Sequence, residues 1–498
     1  MGSERAGVVV AMLSMLLVAQ GCSGGTSRHR EPVAVTTTTR PRPSGPAADI
    51  STEISGGRGV FIGSATMIDL AHVGYVEHEY VATGAATSYK STRAITPDGR
   101  WDVEPDAAAP YRTRVLVRRP ADPKAFSGTV IIEWLNVSGG VDADPDWVSL
   151  REEIVRSGDA WVGVSAQRIG VSGGPVLVKA AGPGTDLAGK GLKAIDPARY
   201  GSLDHPGDGF SFDIFTQVAR AIRSGAGLGA SPPRHVIAAG ESQSAFALVT
   251  YYNGVEPLVH AFDGFFVHSR GAVGLPLVGP GGYADIASAI RGTATIFRTD
   301  EDAPVLDIQT ETDVASILNS YAARQPDSPR FRLWEVAGTA HADQHLIGPN
   351  STYIDCGVPI NDGPMHLVAK AALRALTTWI ETGTAPVVAP RLEVTAGTPI
   401  RVATDADGIA LGGIRTPPVD APTAALSGAP GPKSSTICLL LGSTRPLSAA
   451  RLSQLYPSRV AYLARYNAAA DAAIAQAFVL PEDRAALLAF AQPSVLTS

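Results

Sequence analysis

One stretch constrains this chain more than any other: residues 236–252, V-I-A-A-G-E-S-Q-S-A-F-A-L-V-T-Y-Y. Val236, Ile237, Ala238 and Ala239 form a short apolar run that suits a buried strand. Gly240-Glu241-Ser242-Gln243-Ser244 follows, and then a segment of small and apolar residues that reads as a helix. A serine on a tight strand-to-helix turn projects its Oγ where a base can reach it. The turn also leaves the next backbone N–H free to stabilise an oxyanion. Small residues are needed there because the strand and helix backbones pass close together. The commoner pattern is G-x-S-x-G, and Ser244 stands where the last glycine would be. Over five residues an ordinary polar turn reads equally well, so the rest of the chain must discriminate.

The chain has 498 residues, 45% hydrophobic and 18% charged, enough for one large domain or two medium ones and too apolar for a disordered protein. A net charge of -6 gives no support for nucleic acid as a partner. The 52 glycines and 37 prolines point to a loop-rich architecture instead of a helical bundle. At the N-terminus Arg5 precedes an apolar core over residues 8–19, too short to span a bilayer, which reads as a signal peptide over residues 1–21. Ala19-Gln20-Gly21-Cys22 resembles a bacterial lipobox, in which the cysteine is lipidated and becomes the first mature residue. A leucine is commoner where Ala19 stands, and plain secretion with cleavage near Gly21 is the alternative. Export to the outer side of the cytoplasmic membrane follows under the first reading, and secretion under the second. Residues 22–50, rich in Ser, Thr and Pro, are expected to form a flexible tether. With Cys22 lipidated, Cys356 and Cys438 remain as a pair, and an oxidising compartment favours a disulfide between them. Two buried thiols are the alternative.

Alternation of period two marks strands over residues 75–83 and 111–117, and a more apolar strand covers 128–136. It leads into Val137-Ser138-Gly139-Gly140, a loop of small residues. Further strands are expected over 160–165, 262–268, 305–310 and 331–336, with helices over 147–157, 212–223 and 365–381. Strands alternating with helices predict an α/β fold, a mainly parallel sheet covered on both faces. Residues 51–385 are taken as its core. Residues 386–498 read as an appended C-terminal module packed on it, with strand-like pieces at 391–394 and 400–402 and helices over 449–455, 458–478 and 481–491.

A hydroxyl nucleophile needs a base, and the base needs an orienting acid. Behind a serine on such a turn the chain order is serine, acid, histidine, each on a loop after a strand. Glu311-Thr312-Asp313 follows the strand at Val305, and Ala337-Gly338-Thr339-Ala340-His341 follows the strand at Phe331. Asp313 is the preferred acid, with Glu311 as the competitor. Backbone donors to an oxyanion are expected from Gln243 and from Val137, with Asn136 next in line. Gln243 and Ser244 bring polar side chains to the turn, either to hold the oxyanion loop or to pack at the helix start. His341 and His345 have the i, i+4 spacing of metal ligands, but the glutamate of H-E-x-x-H is missing and no third ligand stands out, so no metal site is expected. Asp204-His205-Pro206-Gly207-Asp208 either lines a cleft or forms a hydrogen-bonded loop. His268-Ser269-Arg270 either touches substrate or caps its strand. No phosphate-binding glycine pattern is present, so no nucleotide cofactor is expected.

The chain from about Tyr75 onward resembles the bacterial alpha/beta hydrolase domain-containing proteins whose serine turn is G-x-S-Q-S. The resembling stretches are residues 128–140, 199–208, 239–245, 263–270, 309–314 and 334–343, with Gly412-Gly413-Ile414-Arg415 and residues 438–444 beyond them. The resemblance implies an α/β-hydrolase fold and a serine hydrolase, and it makes Ser244 a residue of the family pattern. Asp313 lies at the distance from Pro304 that is usual for the acid in such hydrolases. The chain is therefore read as an exported enzyme cleaving a carboxylic ester through an acyl-enzyme. Ser242 is the nucleophile, His341 the base and then the acid, and Asp313 the orienting carboxylate, with no cofactor. An acyltransferase of cell-envelope lipids or glycans and a non-catalytic binding lipoprotein are the alternatives.

Overall fold

A computed structural model of the chain describes residues 44–64, 67–179 and 181–496. The signal peptide, Cys22 and most of the expected tether lie outside the described residues. Nine strands form one sheet: β1 (Asp49–Glu53), β2 (Tyr75–Ser91), β3 (Val103–Pro120), β4 (Thr129–Trp134), β5 (Ala160–Val164), β6 (His235–Glu241), β7 (Gly264–His268), β8 (Val305–Thr310) and β9 (Phe331–Val336). Their spatial order is β1-β2-β3-β5-β4-β6-β7-β8-β9. From β5 to β9 all neighbours run parallel, while β1, β2 and β3 add an antiparallel flank.

The parallel strands are buried along almost their whole lengths, and their alternate residues feed two different cores. Val236 and Ala238 face one side with Val130, Ile132 and Phe265. Helices α2 (Ser211–Arg223) and α3 (Gln243–Thr250) supply Phe215, Val218 and Leu248 to that side. Ile237 and Ala239 face the other side with Ile131, Phe266 and Ile308. There α1 (Pro145–Ser157) and α4 (Met365–Thr382) contribute Leu150, Ile154, Leu367 and Leu376. Two-faced burial is why these strands read as continuous apolar runs instead of alternating ones. The α/β class expected from the sequence is the one observed.

The chain steps from β4 outward to β5 and then returns across β4 to β6, so the strand order reverses between β4 and β6. In open parallel sheets ligands bind beyond the carboxyl ends of the strands at such a point. Asn136 and Val137 follow β4 there, and Ser242 follows β6.

Some boundaries differ from the sequence expectation. The expected tether gives way at Asp49 to β1, which pairs with β2 and buries Ala48 and Ile50 in the core. A single isoleucine among polar residues carried too little periodicity to mark it. β2 and β3 extend to 17 and 18 residues as a long ribbon, paired through stretches whose alanines, glycine and prolines have low strand propensity. Ala86 and Tyr89 nevertheless pack into the core and hold the ribbon down. In the C-terminal part a ribbon of Ala424–Ser427 with Ser443–Pro446 was not expected, and the last helix shortens to Arg484–Leu488.

Residues 386–496 share the core. Ile414 N–H donates to the Glu335 carbonyl at 2.7 Å, and Trp334 meets Phe478 edge-on with ring centroids 5.2 Å apart. Lys370 on α4 is wholly buried, with Nζ donating to Glu152 Oε2 at 2.5 Å and to Asp483 Oδ1 at 3.0 Å. Removing one member of a buried ion pair leaves the other without compensation. Arg156 also reaches Asp483, at 3.0 Å, so the loss is partial. Lys370→Met is expected to lower the unfolding free energy by about 2–3 kcal/mol, read as a drop in the urea midpoint at unchanged m.

Cys356 and Cys438 form a disulfide closing 82 residues of chain. It ties the segment after His341 to the C-terminal part, where both cysteines pack with Ile360, Ile437 and Leu441. Replacing both cysteines by serine is expected to lower stability by about 2–4 kcal/mol, because the unfolded chain regains the freedom that the loop denies it. Thermal unfolding of the double variant beside the native chain checks this.

Candidate active site

Ser242 sits between the end of β6 and the start of α3 with φ 59° and ψ −120°. A non-glycine residue at positive φ is strained, and such strain concentrates where a side chain must be aimed. Two hydrogen bonds impose the conformation: Ser242 N–H donates to the His268 carbonyl at 2.9 Å, and Phe246 N–H donates to the Ser242 carbonyl at 3.2 Å. The turn leaves little room at Gly240, where an added Cβ would lie 3.0 Å from the Ser244 carbonyl carbon and oxygen. Ser244 is fully buried and its Oγ has no hydrogen-bond partner among the described residues. Its role is that of a small residue at the helix start.

His341 comes to the same place from the loop after β9. Gly338 turns that loop at φ 72°, Thr339 Oγ1 ties back to the Val336 carbonyl at 2.7 Å, and Ala342 N–H donates to the Leu440 carbonyl at 3.1 Å. His341 Nε2 lies 2.8 Å from Ser242 Oγ, and Nδ1 lies 2.7 Å from Asp313 Oδ1. Asp313 is aimed by its own neighbourhood. Its Oδ2 accepts from Thr310 N–H and Thr310 Oγ1, both at 2.7 Å, in a capping box at the helix Glu311–Ala315. That leaves Oδ1 for the imidazole.

Glu311, the competing acid, points elsewhere. Its Oε1 accepts from Gly338 N–H at 2.6 Å and its Oε2 from Gly428 N–H at 2.8 Å. It therefore fastens the start of the histidine loop to the C-terminal ribbon. Burial pushes its pKa up to about 7, against the lowering effect of the Gly428 and Gly338 N–H groups. Helix residues two apart point in different directions, so one of the two acids reaches His341 and the other reaches backbone.

Val137 N–H, expected as an oxyanion donor, points at Gln243 Oε1 at 3.2 Å. The Gln243 side chain holds the oxyanion loop: its Nε2 donates to Gln167 Oε1 at 2.5 Å, and that oxygen also accepts from Trp134 Nε1 at 3.0 Å. Any oxyanion drawing on Val137 N–H must compete with this amide. Asn136 is tied down as well, its Nδ2 donating to the Glu241 carbonyl at 3.1 Å and its Oδ1 accepting from Ser138 N–H at 2.9 Å. Gln243 N–H lies in the first turn of α3, where backbone donors are free of intrahelical partners.

Three residues around the base, Glu241, Asp146 and Gln167, have no assigned role in the sequence, whereas His268 is expected there to touch substrate or cap its strand. Glu241 Oε1 lies 3.4 Å from His341 Nε2, and His268 Nδ1 lies 2.9 Å from Asp146 Oδ1 on α1. Gln167 completes the Gln243 network. Only Glu241 carried a signal, standing beside Ser242 in the turn itself. Burial alone would lower the pKa of His341, but Glu241 and Asp313 outweigh it and hold it above the usual histidine value. A base must be neutral to act, so activity is expected to fall as pH drops through that raised value.

The other candidates are structural. His345 Nε2 meets the Val148 carbonyl at 3.2 Å, and its ring stacks on His366 with centroids 3.7 Å apart. Among the described residues no group of three or more His, Cys, Asp or Glu side chains is placed to hold a metal. His205 meets the Ala166 carbonyl at 2.8 Å, and Asp208 accepts from Arg168 and Ala284 N–H, so that segment is a hydrogen-bonded loop. Arg270 is buried against Asp307 and the carbonyls of Thr295 and Ala323.

The sequence pattern of the alpha/beta hydrolase domain family matches residues 41–489, and the chain belongs to that family. Among solved structures it is similar to a serine hydrolase without a lid, XC6422 from Xanthomonas campestris, at 16% identity over 51% of this chain and 83% of that one, with a TM-score of 0.25. It is also similar to a fungal esterase from Rhizomucor miehei, at 12% identity over 64% of this chain and 93% of that one, with a TM-score of 0.32. A third likeness is to carboxyl esterase 2 from Tuber melanosporum, at 14% identity over 53% of this chain and 83% of that one, with a TM-score of 0.27. No curated protein matches.

Proposed function

We propose that the protein is a serine hydrolase that cleaves a carboxylic ester through an acyl-enzyme. The observation that carries the reading is the continuous chain from Asp313 Oδ1 through His341 to Ser242 Oγ, with contacts of 2.7 and 2.8 Å. As Ser242 Oγ attacks the acyl carbon, its proton passes to His341 Nε2, and Asp313 holds the imidazolium by Nδ1–H. The Nε2 proton then goes to the departing alkoxide, and water repeats the sequence to release the acid. Gln243 N–H is the first oxyanion donor, and Val137 N–H joins it when the Gln243 side chain gives way.

Export, lipid attachment at Cys22 and action on a small or envelope ester outside the cytoplasmic membrane complete the proposal. The disulfide Cys356–Cys438 supports an oxidising compartment. No described helix is long and apolar enough to cross a membrane. Turnover of p-nitrophenyl esters of graded acyl length, with and without an added alcohol, tests the reaction class. Release of free acid in both conditions supports a hydrolase. Preferential formation of the new ester makes the protein an acyltransferase, and absence of any turnover favours a binding protein.

A further inference from the structure

Glu241 occupies a position that the Ser242–His341–Asp313 relay does not require. The residue is 5% exposed, and its Oε1 lies 3.4 Å from His341 Nε2, the nitrogen that faces Ser242 Oγ at 2.8 Å. Its Oε2 accepts from Asn136 Nδ2 at 3.4 Å. Glu241 on β6 is paired in register with His268 on β7, and neighbours in register point to the same face of a sheet. His268 is in turn held by Asp146 from the start of α1 at 2.9 Å. The carboxylate thus stands between two histidine–aspartate pairs, His341–Asp313 and His268–Asp146. The groups that bear on it are His341 from the loop after β9, Asp313 from the helix after β8, His268 from β7, Asp146 from α1 and Asn136 from the loop after β4.

We propose that Glu241 is a positioning residue for the base, a second carboxylate that steadies the imidazolium each time Ser242 gives up its proton. The inference rests on the serine-hydrolase reading above. In acylation the Ser242 O–H bond breaks, its proton moves to His341 Nε2, and the bond from Oγ to the acyl carbon forms. The cation then has a carboxylate at each nitrogen, Asp313 at Nδ1–H and Glu241 beside Nε2–H. The Nε2 proton leaves on the alkoxide as the ester C–O bond breaks. In deacylation a water proton reaches Nε2 while the water oxygen attacks the acyl carbon, and that proton returns to Ser242 Oγ as the bond from Oγ to the acyl carbon breaks and the acid leaves. Glu241 neither gains nor loses a proton over the cycle. Burial pushes its pKa up to about 7, against the lowering effect of His341 and His268. The geometry also explains why so buried an acid sits beside the nucleophile: two histidines and the Asn136 amide compensate it.

Glu241→Gln and Glu241→Asp, made in the full chain, test the inference by kinetics across pH. The glutamine keeps the shape and removes the charge. It is expected to lower kcat about tenfold with KM within about twofold, and to move the acid limb of kcat/KM down by about one pH unit, because an anion beside His341 raises its pKa. The aspartate keeps the charge at greater distance and is expected to fall between native and glutamine in both respects. An acid limb coinciding with the native one, in whichever variant folds, overturns the inference even where kcat falls, since loss of packing alone moves no titration. If the native chain turns over no ester and Ser242 takes no acylating label, the serine-hydrolase reading fails and the inference with it. Native turnover with an unmoved limb overturns the inference alone.

Discussion

Ser242→Ala is expected to lower kcat for ester hydrolysis by a factor on the order of 10⁶, because removing a nucleophile that works with its base costs about as much as removing the whole relay. The fold should survive. Alanine keeps the Cβ that the turn already accommodates at φ 59°, and the backbone bonds from Ser242 N–H and to its carbonyl do not involve Oγ. His341 Nε2 loses one partner, but Nδ1–H keeps its bond to Asp313 Oδ1 and holds the ring in place. Thermal unfolding within a few degrees of native, together with lost turnover, is the predicted pair of results. A variant that still hydrolyses ester at the native rate would move the chemistry away from β6 altogether.

Asp313→Asn is expected to lower kcat by about 10⁴, because an amide in place of the carboxylate favours the wrong imidazole tautomer and leaves the imidazolium without its counter-charge. The neighbouring Glu311→Gln makes the contrast. Glu311 accepts backbone N–H groups from Gly338 and Gly428, one on each oxygen, and a glutamine can accept on only one of them. That leaves a buried donor unpaired, worth about 1–3 kcal/mol of stability, while the relay keeps its members. The pH dependence carries a further signature. Burial raises the Glu311 pKa from the usual 4.5 to about 7 in the folded chain, so the folded state holds the proton more tightly. Its contribution to stability is therefore fully present below about 4.5 and is lost as pH rises through about 7. The glutamine variant should lack that part of the decline. Measuring kcat and urea midpoints for both variants separates the acid that orients the base from the acid that braces its loop.

The relay was legible because each member follows a strand and its chain order is fixed by the sheet. Apolar runs at Val236, Val305 and Phe331 located the strand ends, and the residues just beyond them were the candidates. Asp313 and Glu311 were harder to separate, being two residues apart on one short helix. What distinguishes them is the capping box with Thr310 and the contacts from Gly338 and Gly428, and the second of these comes from more than a hundred residues away. The same limit hid the other partners. His268 and Asp146 meet across two elements, and Gln167 reaches Gln243 across the gap between strands. Val137 is expected from the sequence as an oxyanion donor, but the side chain that caps its N–H could not be inferred from order along the chain. β1 and the ribbon at Ala424–Ser427 escaped because small or polar residues carry little periodicity, and long-range pairing alone makes them strands.

The central claim is that Ser242 is a nucleophile activated by His341. Treating the native chain with a fluorophosphonate and mapping the adduct by peptide mass spectrometry tests it most directly. The prediction is a single covalent adduct on the peptide carrying Ser242, formed with loss of ester turnover and strongly slowed in His341→Ala. An active chain whose adduct maps to another residue, or whose turnover survives the reagent with Ser242 unlabelled, would contradict it.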